Sequence, residues 1–234
     1  MTLLTICQNA ADEIGLTPPA SVIGNSEGEV MKLRRYANKV GAKIMKAYAW
    51  QALRKERVFT AIAGEEQTGI LPADWDRIIP DTFWDRNLSY LVTGPVSPVE
   101  WQGLKALNSE ISERKFALRG GSVLVYPAPA GGETFAFEYV SKYWAANNGA
   151  PQAALTQDSD TAIVDEELIT RGVIYEYLHN DGQPSAAALV EYERYFDTLV
   201  ENDRQSSGVL RAGDMFRSTR RFGGTPPVRA LNSL

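Results

Sequence analysis

The chain has 234 residues, a net charge of −5, one cysteine and one histidine. With only Cys7 and His179 available, an internal disulfide is excluded and almost nothing is left to ligate zinc or copper. The charge is uneven: beyond Ser206 five arginines face one aspartate, a net of +4, so the rest carries −9. An acidic body of this kind argues against wrapping duplex DNA, whose affinity comes from neutralised phosphates.

The start, Met1-Thr2-Leu3-Leu4, has no basic region ahead of an apolar run, and Gln8-Asn9 soon turn it polar. No apolar run approaches the roughly 20 residues that span a bilayer. A soluble chain made inside the cell is therefore expected.

Leu3, Ile6, Ala10 and Ile14 recur at helical spacing and predict a first helix over 2–14, stopped by Gly15 and Pro18-Pro19. Ser26 with Glu29 reads as a capping box opening a second helix. Val30, Leu33, Ala37, Val40, Ile44 and Ala47 form its seam, and the pattern predicts continuation to about Arg54.

The pattern then changes. A strand is expected over 57–63, a turn over 64–69, and Ile70-Leu71 pairing back. Tyr90-Leu91-Val92 reads as a short strand. Ser97, Pro98 and Glu100 predict a short helix to about Leu107. Gly120-Gly121 joins 116–119 to 122–126 as a hairpin, and 135–144 reads as a long strand with Phe135, Phe137, Tyr139, Ser141 and Tyr143 on one face. A polar loop over 145–161 follows.

Asp165-Glu166-Glu167 places acid at the positive end of a third helix running to about Asn180. After the turn at Asp181-Gly182, a fourth helix over about 185–204 carries the stripe Leu189, Tyr192, Phe196, Leu199. The fold class expected is α+β. A helical bundle is built from 1–56 and 162–205, with a small β-sandwich or barrel inserted at 57–161 and an extended basic C-terminal tail at 206–234.

Chemistry-bearing constellations are few. His179 near a helix end reads as a packing or capping residue, and Cys7 in an apolar stripe as core. Gly120-Gly121 and Gly131-Gly132 read as turns, since no phosphate-loop pattern surrounds them. Asp74, Asp76, Asp81 and Asp85 suit either the acid/base pair of a cell-wall or polysaccharide hydrolase, a metal site, or caps and ion pairs. The third reading is preferred, because each lies beside Pro, Trp or Arg. Asp158 and Asp160 begin like a calcium loop, but Ala162 and Ile163 stand where ligands and glycine are needed. Trp75, Trp84 and Trp101 read as core, as subunit contacts or as a sugar platform, in that order. No catalytic residue, cofactor or metal is expected, and the chain reads as a non-enzyme.

Several of these segments together resemble the head-to-tail adaptors (connectors) of short-tailed bacteriophages, of the tail-tubular-protein-A type. They are the helical start through Gly15, Trp50-Gln51-Ala52-Leu53-Arg54-Lys55-Glu56, Phe59-Thr60, Leu71-Pro72-Ala73-Asp74, Asp81-Thr82-Phe83-Trp84-Asp85-Arg86 and Phe137-Glu138-Tyr139-Val140-Ser141. The resemblance implies a helical bundle with a β insertion, assembled as a dodecameric ring beneath the portal protein. Such a ring extends the DNA exit channel without reading sequence, and it is the platform for the tail or nozzle protein. It also implies a virion protein of the head–tail junction, assembled in the host cytoplasm. By the same resemblance the C-terminal tail reaches the portal, and its own arginines and apolar residues point to contact through Arg211, Met215, Phe216, Arg217, Arg220, Arg221 and Phe222. Guanidinium groups suit carboxylates on an acidic neighbour. A solubilising tail and a tail facing channel DNA remain the alternatives.

Overall fold

In the computed structural model the described residues are 1–106 and 113–208, with side chains described through 204. Helix α1 (Leu3–Glu13) starts at Thr2, whose hydroxyl accepts the Thr5 N–H, and buries Leu3, Ile6, Cys7 and Ala10. Helix α2 (Gly28–Ala47) buries Val30, Leu33, Ala37, Val40 and Ile44, the seam expected from spacing. Helix α4 (Glu166–Asn180) is capped by Asp165, which accepts the Leu168 N–H, and α5 is Ala186–Gly208.

Helix α4 is the centre of the helical layer. It packs on α1, α2 and α5 and is buried nearly all round, from Leu168 to Tyr177. Gly172 permits the close approach: a Cβ there would stand 2.4 Å from Val40 of α2 and 3.0 Å from Tyr192 of α5. Glu176, almost wholly buried in α4, is neutralised by Lys39 and Lys43 of α2.

Two boundaries of α2 differ from expectation. Ser26 does not cap it; the N-cap is Glu27, with no side-chain bond, and Glu29 instead accepts the Tyr177 hydroxyl at 2.6 Å, tying α2 to α4. The helix stops at Ala47, seven residues early. Trp50 folds back so that its indole N–H takes the Ile44 carbonyl at 2.8 Å, while the Arg77 guanidinium takes that of Tyr48 at 2.9 Å. Both satisfy carbonyls at a helix end, which favours termination there. A short 3₁₀ turn, Gln51–Leu53, leads into the first strand.

The strands are β1 (Arg54–Thr60), β2 (Glu66–Gln67), β3 (Trp75–Ile78), β4 (Trp84–Asp85), β5 (Tyr90–Leu91), β6 (Lys115–Arg119), β7 (Ser122–Tyr126), β8 (Thr134–Ser141), β9 (Ala145–Asn147), β10 (Ala150–Gln152) and β11 (Thr161–Ala162). Helix α3 (Pro98–Ala106) lies between β5 and β6. The strands form three separate sheets. In the largest, the order is β1-β8-β4-β5, with β3 also on β8; the others run β2-β7-β6 and β10-β9-β11. Among the described residues no sheet closes on itself, so of the expected sandwich or barrel the barrel is corrected to three open sheets. The physical reason is strand length: most are two to five residues, too short to share a continuous shear.

Other expectations shift locally. Ile70-Leu71 does not pair back. Instead β2 pairs with β7, and the fully buried Gln67 reaches back only by its side chain, whose amide holds the Ile62 N–H and the carbonyls of Ile62 and Gly64. The supposed loop over 145–161 contains β9 and β10. It is organised by Asp160, whose buried carboxylate accepts from Asn147, Gln152, Thr156 and Gln157. The fourth helix runs on to Gly208, past the expected start of the tail.

Strand β8 joins two hydrophobic clusters. Phe135, Phe137 and Tyr139 point into an aromatic cluster around Phe83, whose ring centroid is 4.9 Å from that of Phe116 and 5.6 Å from that of Phe135. Val140, followed by Trp144, joins the helical cluster with Leu33, Ile44 and Leu168 instead. Alternation along one strand thus feeds both sides. A third, small cluster holds Trp101 against Ala117 and Leu124.

Candidate interaction surface

The four aspartates that offered chemistry are spent on structure or left single. Asp74 is buried and accepts from Lys55 Nζ at 2.7 Å, Ser141 Oγ at 2.9 Å and Tyr139 Oη at 3.0 Å. Burial alone would raise its pKa, but the Lys55, Ser141 and Tyr139 hydrogen bonds hold it below the usual range. Burial, then the Asp74 contact, pushes the Tyr139 phenol up to about 12. Asp76 pairs with its neighbour Arg77 at 2.7 Å. Asp85 is fully buried: one oxygen accepts the N–H groups of Asn87 and Leu88, the other the Arg114 guanidinium, which also holds Glu133 at 3.0 Å. Asp81 is exposed at a turn, with φ of 60°. A glycosidase needs two carboxylates free to face one bond. Among the described residues Asp81 alone of the four has no partner, so the hydrolase arrangement is not built.

The calcium reading of Asp158 and Asp160 meets the same obstacle. Asp158 accepts the backbone N–H groups of Val22 and Ile23, at 3.1 and 2.8 Å, and Asp160 accepts its loop. Their partners are donors, the opposite of co-ligands. Among the described residues no group of three His, Cys, Asp or Glu side chains could hold a metal. His179 stacks on Tyr175 with ring centroids 5.5 Å apart. Cys7 is buried, and desolvation, with the nearby Asp158 charge, pushes its thiol up to about 12, the wrong direction for a nucleophile.

The three tryptophans separate. Trp101 is core and Trp75 is half-buried. Trp84 is 44% exposed, on the outer face of the large sheet. Register places it opposite Ala136, which in turn faces Val58 of β1, another exposed apolar residue. This face borders an open groove of about 650 Å³, lined by Glu56, Asp81, Thr82, Trp84, Arg86 and Glu138 among others. Apolar residues rimmed by charge are the composition of a contact surface. The sequence named Trp84, but not Val58, whose exposure follows from the pairing register.

The helical layer is also incompletely covered. Among the described side chains of α5 only Val200 is buried; Tyr192, Phe196 and Leu199 pack on the bundle as their spacing predicts, whereas at the start of the stripe Ala188 does so in place of Leu189. A groove of about 340 Å³ runs between Ala47 and Tyr192, Glu193, Phe196 and Asp197. Among the described residues no helix is long and apolar enough to cross a membrane. The sequence also missed Arg114, which neutralises Asp85 from 29 residues away; nothing local marks such a pairing.

Arg211, Met215, Phe216, Arg217, Arg220, Arg221 and Phe222 lie outside the described residues. No curated protein matches the chain. The profile of the SU10 adaptor protein family matches residues 1–213, which takes in Arg211 and stops short of Arg217. The resemblance noted from the sequence holds at the level of phage head-to-tail adaptors. A match over nearly the whole chain shows that the protein belongs to the SU10 adaptor protein family and is a structural phage adaptor.

Proposed function

We propose that the protein is a ring-forming head-to-tail adaptor of a phage virion, of the tail-tubular-protein-A type. A ring of copies, twelve by the resemblance, sits beneath the portal, extends the DNA exit channel and offers the tail or nozzle protein its platform. The observation that carries this reading is the family match over residues 1–213. Two physical features support it. The acidic body would let the genome pass without a phosphate grip. The charge-rimmed Trp84 face and the partly covered α5 leave surface for neighbours.

In this reading 1–56 and 162–205 act as the helical domain, 57–161 as the inserted β domain, and the segment after α5 as the portal attachment. Arg211, Arg217, Arg220 and Arg221 supply guanidinium groups for carboxylates, and Met215, Phe216 and Phe222 supply apolar anchors. The protein then belongs to the head–tail junction, after assembly in the host cytoplasm.

The test is a capture assay with the portal protein of the same phage. Full-length chain is expected to bind, and a chain ending at Gly208 to melt at the same temperature but lose binding. Equal binding by the shortened chain would place the attachment in the body.

A further inference from the structure

The outer face of the large sheet carries a groove with carboxylates that its own fold leaves open. Glu56 of β1 stands opposite Glu138 of β8 in the register, and like charges so placed repel. Arg86 pairs with Glu56, which leaves Glu138. Asp81 lines the same groove, and among the described residues neither Asp81 nor Glu138 makes an ion pair. Beside them lies the exposed Trp84, whose indole N–H has no partner among the described residues. Such a surface recognises a proline-rich strand followed by arginine. The indole packs on a proline ring, and its N–H reaches a carbonyl that a polyproline helix leaves unbonded. The carboxylates take the guanidinium.

The chain carries such a segment, Pro226-Pro227-Val228-Arg229. Proline fixes its own φ and restricts the residue before it, so a Pro-Pro pair loses little freedom on docking. A polyproline helix has three residues per turn and rises about 3.1 Å per residue, which sets Pro226 and Arg229 on one side, about 9 Å apart. Trp84 and Glu138 match that step. Trp84 faces Ala136, and Glu138 is two residues further along β8 on the same face. Two residues of rise and one strand spacing put them about 8 Å apart. Charge agrees as well, since the residues beyond Ser206 carry +4. The other Pro-Pro pair, Pro18-Pro19, is already held: Pro19 is buried and its carbonyl accepts the Gln8 amide at 2.9 Å.

We propose that Pro226-Pro227-Val228-Arg229 docks in the Trp84 groove of its own chain, a proline ring on the indole and the Arg229 guanidinium against Glu138 and Asp81. The occupant is the chain's own segment because it is tethered close by. Asp203 of α5 accepts the Gln51 N–H at 3.3 Å and lies 3.9 Å from Arg54, the first residue of β1; Glu56 of the groove is two residues on. From Asp203, α5 continues to Gly208, about 8 Å at the helical rise. The way from there to the groove is short against the roughly 60 Å that residues 209–225 can span. A flexible tether of this kind makes docking intramolecular, at an effective concentration on the order of millimolar. The residues assigned above to the portal, Arg211 to Phe222, lie in the tether and are not used. The docked segment covers the Trp84 face of the free chain, and a neighbour that takes that face has to displace it. The docking does not depend on the ring reading.

Nuclear magnetic resonance of the isotope-labelled full chain tests this through the Trp84 indole N–H, identified as the signal that Trp84→Phe removes. In the full chain carrying Pro226→Ala, Pro227→Ala and Arg229→Ala, the Trp84 signal is expected to shift while those of Trp50, Trp75, Trp101 and Trp144 stay. A synthetic peptide of residues 223–234 added to that variant should return the signal, saturably, to its wild-type position. The same peptide with Arg229→Ala, or the unaltered peptide on a chain that also carries Glu138→Gln, should need about tenfold more. An unchanged Trp84 signal in the triple variant, or a peptide that fails to move it back, overturns the proposal. A wild-type signal that moves towards that of the variant on dilution would place the segment on a second copy and overturn docking within one chain. Thermal melts check that the variants fold; should Glu138→Gln not, the Arg229→Ala peptide still decides the charge contact. None of these outcomes bears on whether copies form a ring.

Discussion

The six-membered ring of Trp144 lies where a side chain at Gly41 would have to go: a Cβ on Gly41 would stand 2.2 Å from it. Trp144 follows β8, and Gly41 lies in the middle of α2, so this contact seats the β region on the helices. An indole only 1% exposed in a packed cluster has little room to retreat. Gly41→Ala is therefore expected to destabilise the fold by about 3 kcal/mol, despite the higher helix propensity of alanine. Urea unfolding checks this; unchanged or greater stability would mean that Trp144 yields easily.

Asp85 and Arg114 give a second test of stability. Arg114→Met leaves a buried carboxylate facing no cation and is expected to cost about 3–5 kcal/mol. Asp85→Asn with Arg114→Met removes both charges and should recover much of that loss. Denaturant midpoints of the single and double variants measure the coupling. Additive losses would show that the pair contributes nothing.

Stability should depend on acid through Glu176 and Asp74. Burial opposes ionisation of Glu176, yet hydrogen bonds from Lys39 and Lys43 hold its pKa below the ordinary 4.5; Asp74 lies below 3.8 for its own hydrogen bonds. A carboxylate with a depressed folded pKa contributes stability above its unfolded pKa and loses it as pH falls through the folded value. The melting temperature is thus expected to hold from neutrality to about pH 5 and fall below pH 4.5. Glu176→Gln should lie below wild type at pH 7 and approach it as pH falls below 4.5. A constant gap across that range would remove the linkage.

Much of this was readable before any coordinates. The α2 seam, the Gly120-Gly121 hairpin and the Phe135, Phe137, Tyr139 face follow from period alone, because local alternation decides which atoms meet the core. What failed was set by partners distant in sequence. Arg77 helps to end α2 from 29 residues beyond Tyr48, and Glu29 answers to Tyr177 rather than to Ser26. Asp160 turns an apparently shapeless stretch into strands by collecting its N–H groups. The candidate surface was legible only in part: Trp84 stood out by type, while its companions depend on the β1–β8 register.

Without portal, the protein is expected to be a monomer or to associate weakly, because ordering a segment costs entropy that only the contacts made with a partner offset. Sedimentation velocity at low micromolar concentration should give one species near 25.8 kDa. A stable ring under those conditions would contradict this order of assembly.

The central claim is that copies of this chain form a closed ring on the portal. Electron microscopy of the purified chain mixed with the portal of the same phage tests it most directly. The account predicts a symmetric ring beneath the portal, its channel continuous with that of the portal. Portal particles carrying a single copy, or none at saturating concentration, would contradict it.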